Sequence, residues 1–133
     1  MKEKEIKFIE SLNERFNKNL VPSEDTFEIY DAYNENSIIE IKIRNKTYDT
    51  KFLQVDKCYH LLMAAEVISK RPFYIVSDPG GVYVFDLLDL KDNLLKKQIV
   101  KIKSPYNTEF TNNVLIDKYF YELKESEGRV FKN

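Results

Sequence analysis

Residues 26–44, TFEIYDAYNENSIIEIKIR, decide the fold. Thr26 to Tyr33 and Ser37 to Arg44 each alternate side chains with the period of a β-strand. The Asn34-Glu35-Asn36 segment between them is typical of a turn. The stretch therefore predicts a β-hairpin. Its second strand places Ile39, Ile41 and Ile43 on one face and Ile38, Glu40, Lys42 and Arg44 on the other.

This hairpin brings charged side chains together. With the turn tip at Glu35 and Asn36, Asp31 lies opposite Glu40, with Cβ atoms about 5 Å apart. Two carboxylates so close repel unless a cation lies between them, and Mg²⁺ prefers such oxygen ligands. Lys42 points to the same side and could orient or help deprotonate a water, or stabilise charge on a phosphate. Asp31, Glu40 and Lys42 thus predict a metal-dependent hydrolytic site.

The acidic-x-Lys triplet alone is weak support, because this sequence contains five of them. Glu40-Ile41-Lys42 differs from the others because it lies inside an otherwise apolar strand, where two charges on one face need a reason. The alternative is a charged hairpin face on which Lys42 neutralises two acids in solvent.

Further elements extend in both directions from the hairpin. Apolar residues at helical spacing predict helices over 2–19 and 54–70, and the stretches 45–51 and 122–133 are interpreted as a polar connection and a polar, partly frayed end. Strands are predicted over 73–77 and 82–87, joined by the turn Asp78-Pro79-Gly80-Gly81, and over 96–103 and 114–123. Residues 89–95 are ambiguous. The fold class is α/β, a mixed central sheet flanked by helices in the order α-β-β-α-β-β, with extra C-terminal strands.

Composition restricts the class of protein. The 133 residues suit one domain, and 43% hydrophobic with 32% charged residues is an ordinary globular balance. One cysteine excludes an internal disulfide and a Cys-rich zinc site. The sequence shows no signal peptide and no transmembrane stretch, so we expect a cytoplasmic protein with no membrane partner.

Charge is unevenly distributed along the sequence. Residues 1–90 hold twelve basic and sixteen acidic residues, and residues 91–133 hold nine basic and six acidic residues. An acidic half beside a basic half fits a cation site near a phosphate-binding surface, and fits an ordinary soluble protein almost as well.

Asp31 and the Glu40-Ile41-Lys42 triplet, placed between a first and a second helix, resemble the PD-(D/E)xK nuclease superfamily. The similarity spans roughly residues 5–86 and is greatest to Holliday junction resolvases and phage-type nucleases; residues 96–133 form a C-terminal strand extension outside it. It implies a cation-binding Glu in the first helix, here Glu5, seven residues before Leu12, with Glu10 and Glu14 on the polar side as weaker candidates. The alternative for Glu5 is an acid of the first turn that stabilises the helix dipole. The resemblance also implies a site-facing residue early in the second helix, here Lys57 beside Asp56, or else Gln54. Tyr30 stands where the superfamily often has proline.

The resemblance implies a Mg²⁺- or Mn²⁺-dependent nuclease acting on DNA, with a phage or mobile-element setting. Asp31, Glu40, the Ile41 backbone carbonyl and Glu5 would hold the metal, and Lys42 and Lys57 would complete the catalytic group. Such a small domain would extend its reach as a homodimer or in a larger nucleoprotein complex. Two alternatives remain: an inactive nuclease-fold scaffold, or an unrelated α/β interaction protein. Phosphate contacts beyond the core are expected from Lys97, Lys101, Lys103 and Lys118.

Overall fold

A computed structural model describes residues 3–24, 29–105 and 114–133 of the chain. The described residues form three α-helices, and their bounds are Glu3–Phe16 (α1), Val55–Ile68 (α2) and Leu87–Lys96 (α3). The strands are Val21–Pro22 (β1), Ala32–Tyr33 (β2), Ser37–Ile43 (β3), Thr50–Gln54 (β4), Arg71–Asp78 (β5), Gly81–Asp86 (β6), Val100–Pro105 (β7), Leu115–Lys124 (β8) and Arg129–Lys132 (β9). No helix in these ranges is both long and apolar enough to cross a membrane.

Two sheets organise the described chain. The larger has six strands in the order β1-β2-β3-β5-β6-β9, and the smaller has three in the order β4-β8-β7. β3 and β5 run parallel, while the other neighbouring strands are antiparallel. The connection between the parallel strands carries β4 and α2, as a crossover requires. The predicted fold class, a mixed central sheet flanked by helices, is confirmed.

Each face of the large sheet has its own core. On one face, Ile9 and Leu12 of α1 pack against Ile39, Ile41 and Ile75. On the other face, α2, α3 and the smaller sheet pack around a second cluster that includes Ile38, Tyr74, Val76, Tyr83 and Phe85. The alternation predicted for β3 is therefore correct. It leaves Glu40 and Lys42 on the α2 side of the sheet, beside Ile38.

The predicted hairpin is present, but its first strand is short. Ala32 pairs with Ile39 and Tyr33 with Ile38, which is the predicted register. The strand expected from residue 26 is limited to Ala32–Tyr33 among the described residues, and residues 25–28 lie outside them. β2 is short because the strand pairing ends at Asp31. The Ile41 N–H of β3 donates to the Asp31 side chain instead of to a backbone carbonyl.

The ends of several predicted elements differ. The first helix stops at Phe16 because Asn17 and Asn19 adopt left-handed φ angles of 53° and 54°. The Asn13 side chain then holds the Leu20 backbone through two hydrogen bonds of 2.6 and 2.9 Å. The ambiguous segment 89–95 is helical, as part of α3, and Asp86 caps this helix by accepting from the N–H groups of Leu88 and Asp89.

Two predictions of irregular structure were wrong. The polar connection 45–51 contains the start of β4, and its Lys51 is a buried residue with a buried partner. The C-terminal end expected to fray instead forms β9, which pairs with β6 and completes the large sheet. Phe131 anchors it by packing edge-on against Phe16, with ring centroids 4.7 Å apart.

Candidate active site

The β2–β3 hairpin fixes the first acid of the site. The Asp31 backbone N–H donates to the Ile39 carbonyl at 2.8 Å, and its side-chain Oδ2 accepts from the Ile41 N–H, also at 2.8 Å. Asp31 is half-buried. The carboxylate therefore replaces a missing strand partner at the edge of β3, and its position is set by the backbone on both sides of Glu40.

The second acid, Glu40, lies in surroundings that oppose its charge. Its side chain is only 13% exposed, and burial together with the neighbouring Asp31 raises its pKa from 4.5 to about 7. Lys57 of α2 lowers the pKa of Glu40, because its Nζ lies 3.4 Å from the Glu40 Oε2. Glu40 thus keeps, up to a pH of about 7, a proton that a cation could replace.

The Ile41 carbonyl points toward the same edge as Asp31. Along β3 the even-numbered residues bond to β5, as shown by the Arg44 N–H donating to the Ser77 carbonyl at 2.8 Å. The Ile41 N–H instead points to Asp31. Because both backbone polar groups of a strand residue point to one edge, the Ile41 carbonyl lies on the Asp31 side as well.

The predicted lysines are both on this side of the sheet. Lys42 is half-buried, two residues after Glu40 on the same face and opposite Val76 of β5. Lys57 makes the ion pair with Glu40, while its own side chain is 58% exposed. Of the residues considered in early α2, Asp56 is exposed and Gln54 precedes the helix as its N-cap.

Glu5 lies in the first turn of α1, half-buried and one turn before the buried Ile9. Ile9 packs into the cluster beneath Ile39 and Ile41. The helix therefore lies against the opposite face of the strand that carries Glu40. The role of Glu5 toward a cation stays a prediction.

Sequence reasoning missed Tyr74, which lies beside the acids. Tyr74 pairs with Glu40 across β3 and β5, and its hydroxyl donates to the Phe52 carbonyl of β4 at 2.8 Å. Burial raises the Tyr74 pKa well above its usual range, while the charge of nearby Arg44 lowers it. The hydroxyl is therefore a proton donor at neutral pH. The alternation of β3 correctly predicted that Arg44 shares a face with Glu40 and Lys42. Tyr74 could not be placed in the same way, because its position depends on the register between the parallel strands β3 and β5.

The oxygen donors fit a Mg²⁺-type cation. Two carboxylates and one carbonyl are hard ligands, and Mg²⁺ in phosphate-processing sites commonly takes only one or two carboxylates, keeping water and substrate oxygens for the rest. Within residues 3–24, 29–105 and 114–133, no group of three or more His, Cys, Asp or Glu side chains is placed to hold a metal. Two carboxylates and one carbonyl would leave the remaining positions around such an ion to water and substrate oxygens.

The C-terminal lysines do not form one phosphate-binding face. Lys97 bonds Glu127 at 2.8 Å and Lys103 bonds Asp117 at 2.9 Å. Strand register places Lys101 and Lys103 on one face of the small sheet and Lys118, which pairs with Ile102, on the other. The four residues grouped by sequence therefore separate into two ion-paired side chains and two on opposite faces.

The order of elements, with an acidic hairpin strand between two helices, defines a restriction-endonuclease-like fold. The chain is similar to the Holliday junction resolvase Hjc of the hyperthermophilic archaeon Archaeoglobus fulgidus, with a TM-score of 0.56 over 96% of this chain and 92% of that one. The sequences are 17% identical, so the likeness is one of fold. No protein-family model and no curated protein matches the sequence.

Proposed function

We propose that this chain is a divalent-metal-dependent nuclease that hydrolyses phosphodiester bonds in DNA. The observation that carries the proposal is the Asp31–Glu40 pair, in which a carboxyl whose pKa is raised to about 7 adjoins a second acid, with Lys42 on the same face. Such strongly perturbed groups concentrate at functional sites. The resolvase with a similar fold supports DNA as the substrate.

Each residue of the site has a proposed role. Asp31, Glu40 and the Ile41 carbonyl would hold Mg²⁺ or Mn²⁺, and Glu5 would support the cation's water shell from α1. Bound there, the cation would act as a Lewis acid on the scissile phosphate. Lys42 would position the attacking water or stabilise charge on the phosphate. Lys57, which faces Glu40 and is largely exposed, would neutralise that acid in the empty site and turn to the phosphate once a cation takes its place.

A second candidate function is a nuclease-fold binding module without activity. It is favoured by the Lys57–Glu40 ion pair at 3.4 Å, which gives the largely buried acid a partner without any metal cation. The two candidates differ in a measurable way, because a binding module would bind DNA without cleaving it in any metal.

A homodimer is proposed from the exposed apolar surface between two helices. Tyr59, Met63 and Val67 follow one another at helical spacing on α2 and are 59%, 55% and 84% exposed. Leu88 and Leu95 of α3 are 47% and 70% exposed and line one groove with Tyr59 and Met63; these five residues are called the α2–α3 surface. Contiguous apolar surface of this kind is common at interfaces between subunits.

Cleavage of labelled DNA tests the proposal. Four-way junction, flapped, single-stranded and duplex substrates would be incubated with Mg²⁺, Mn²⁺ or EDTA. We expect metal-dependent cleavage by the wild type, roughly 100-fold slower in Lys42→Met, the scale of a lost electrostatic or acid–base group. Lys96→Met, an exposed residue of α3, is the matched control. Equal cleavage by both variants would refute the role of Lys42, and DNA binding without cleavage in any metal would favour the binding module.

A further inference from the structure

A small cleft lies beside the acidic pair and belongs to none of the roles above. It has a volume of about 220 Å³ and is lined by Arg44, Tyr48, Thr50, Lys51, Phe52, Tyr74 and Val76. This is below the range of pockets for drug-sized ligands, so it suits a single flat ring system.

The cleft and the candidate active site share a wall. Arg44 follows Lys42 by two residues on the same face of the sheet, a distance of about 7 Å along an extended strand. Tyr74, which pairs with Glu40, reaches into the cleft wall and bonds the Phe52 carbonyl. A nucleotide whose phosphate lay at Lys42 would therefore have the cleft next to it.

The chemistry of the lining is aromatic and cationic. Tyr48 lines the cleft and is 48% exposed, and the Arg44 guanidinium lies 6.0 Å from the centre of its ring. Phe52 contributes a second, half-buried ring, which packs edge-on against Phe120 at 5.9 Å. Aromatic rings beside arginine are what single-stranded nucleic acid stacks upon.

The Tyr48 ring stands on a fixed backbone. The buried ammonium of Lys51 donates both to the Tyr48 carbonyl and, at 2.8 Å, to Asp78 Oδ2. It also lies 4.0 Å from the centre of the Tyr83 ring. The residue that presents the exposed ring is thus tied to the core, which lowers the entropy cost of stacking a ligand on it.

We propose that this cleft takes one unpaired nucleobase adjoining the scissile phosphate, stacked on Tyr48 and Arg44, so that the preferred substrate carries an unpaired nucleotide at the cut. The inference rests on the proposed function, since it assumes that a phosphate binds at Lys42. Fully paired DNA would leave the cleft empty, because its bases remain in the duplex stack.

Binding in EDTA tests this separately from cleavage. Three DNAs share one duplex and carry a one-nucleotide flap with 2-aminopurine, the same flap with an abasic site, or no flap. We expect the wild type to quench 2-aminopurine and to bind the base-bearing flap roughly 5- to 100-fold more tightly than the abasic flap. Tyr48→Leu should lose this preference and Tyr48→Phe should keep it. Tyr119→Leu is a matched control, since Tyr119 is 49% exposed on the opposite face of the small sheet from Phe52 and Phe120.

The outcomes separate the two proposals. Equal affinity of the wild type for the base-bearing and abasic flaps, or a preference retained in Tyr48→Leu, would overturn the cleft inference even if cleavage depends on Lys42. A Tyr48-dependent preference without cleavage in any metal would support the cleft and contradict the nuclease. Failure of the wild type to bind any of the three DNAs in EDTA would overturn the cleft inference and leave the nuclease to be judged by the metal-dependent cleavage assay.

Discussion

Replacing Glu40 by Gln should change the pH dependence of stability in a defined direction. In the native protein Glu40 keeps its proton up to a pH of about 7, whereas an unfolded chain releases it near the ordinary value of 4.5. Between these values the native state binds more protons, so the free energy of unfolding of the wild type falls as pH rises. Glu40→Gln has no titratable group at this position, so its free energy of unfolding should not fall for this reason as pH rises.

The shift sets the size of the effect. A rise from 4.5 to about 7 in the pKa of Glu40 corresponds to about 3 kcal/mol at 1.36 kcal/mol per pH unit. The side chain is only 13% exposed, so solvent screening reduces this little. The contribution of protonated Glu40 to the free energy of unfolding is fully present below pH 4.5 and is lost above pH 7.

Guanidinium unfolding in EDTA at several pH values from 4.5 to 8.5 measures the effect. The stability of Glu40→Gln relative to the wild type should increase by about 3 kcal/mol across the range. Glu66→Gln, an exposed residue of α2, is the control. The reasoning is refuted if the difference between wild type and Glu40→Gln stays constant with pH.

Two further predictions concern the core and the α2–α3 surface. Lys51→Met should lower the free energy of unfolding by roughly 3 kcal/mol, because it leaves Asp78, whose side chain is 1% exposed, charged and without its partner. Chemical denaturation of this variant beside Lys46→Met, an exposed lysine of the preceding connection, checks it; equal stability of the two would contradict a buried ion pair. Met63→Lys should convert a dimer to a monomer, since it places a charge in the middle of the α2–α3 surface. Sedimentation velocity beside Glu14→Lys of α1 measures this, and an unchanged dimer in Met63→Lys, or a monomeric wild type, would rule out that interface.

The parts of the site that lie within one hairpin were predictable from sequence. The two-residue alternation of β3 and the Asn-rich turn set the register, and the structure pairs Ala32 with Ile39 as that register requires. Asp31 and Glu40 are consequently brought together by local information. The short β2 was not predictable, because the alternation of the sequence does not reveal that the Asp31 side chain takes over a backbone bond.

The parts that depend on distant segments were not predictable. Lys51 carries a charge, so its sequence suggests a surface position. Its burial is explained only by its pairing with Asp78, which is distant along the chain. Tyr74 meets Glu40 through a parallel pairing with a long crossover, whose register no turn determines. The C-terminal strand is likewise stabilised by β6 and by Phe16, neither of which is close to it in sequence.

Manganese binding tests the central claim, that Asp31 and Glu40 hold a divalent cation, most directly. Water-proton relaxation would be followed as Mn²⁺ is added to the wild type, Asp31→Asn, Glu40→Gln and the exposed control Glu122→Gln at pH 6 and pH 7.5. We predict one bound Mn²⁺ in the wild type and in the control. Binding should be tighter at pH 7.5 than at pH 6, because Glu40, with a pKa of about 7, must lose its proton to bind the ion. The affinity should be at least about tenfold weaker in both site variants. Wild-type protein that binds no Mn²⁺, or site variants that bind it as the control does, would contradict the account.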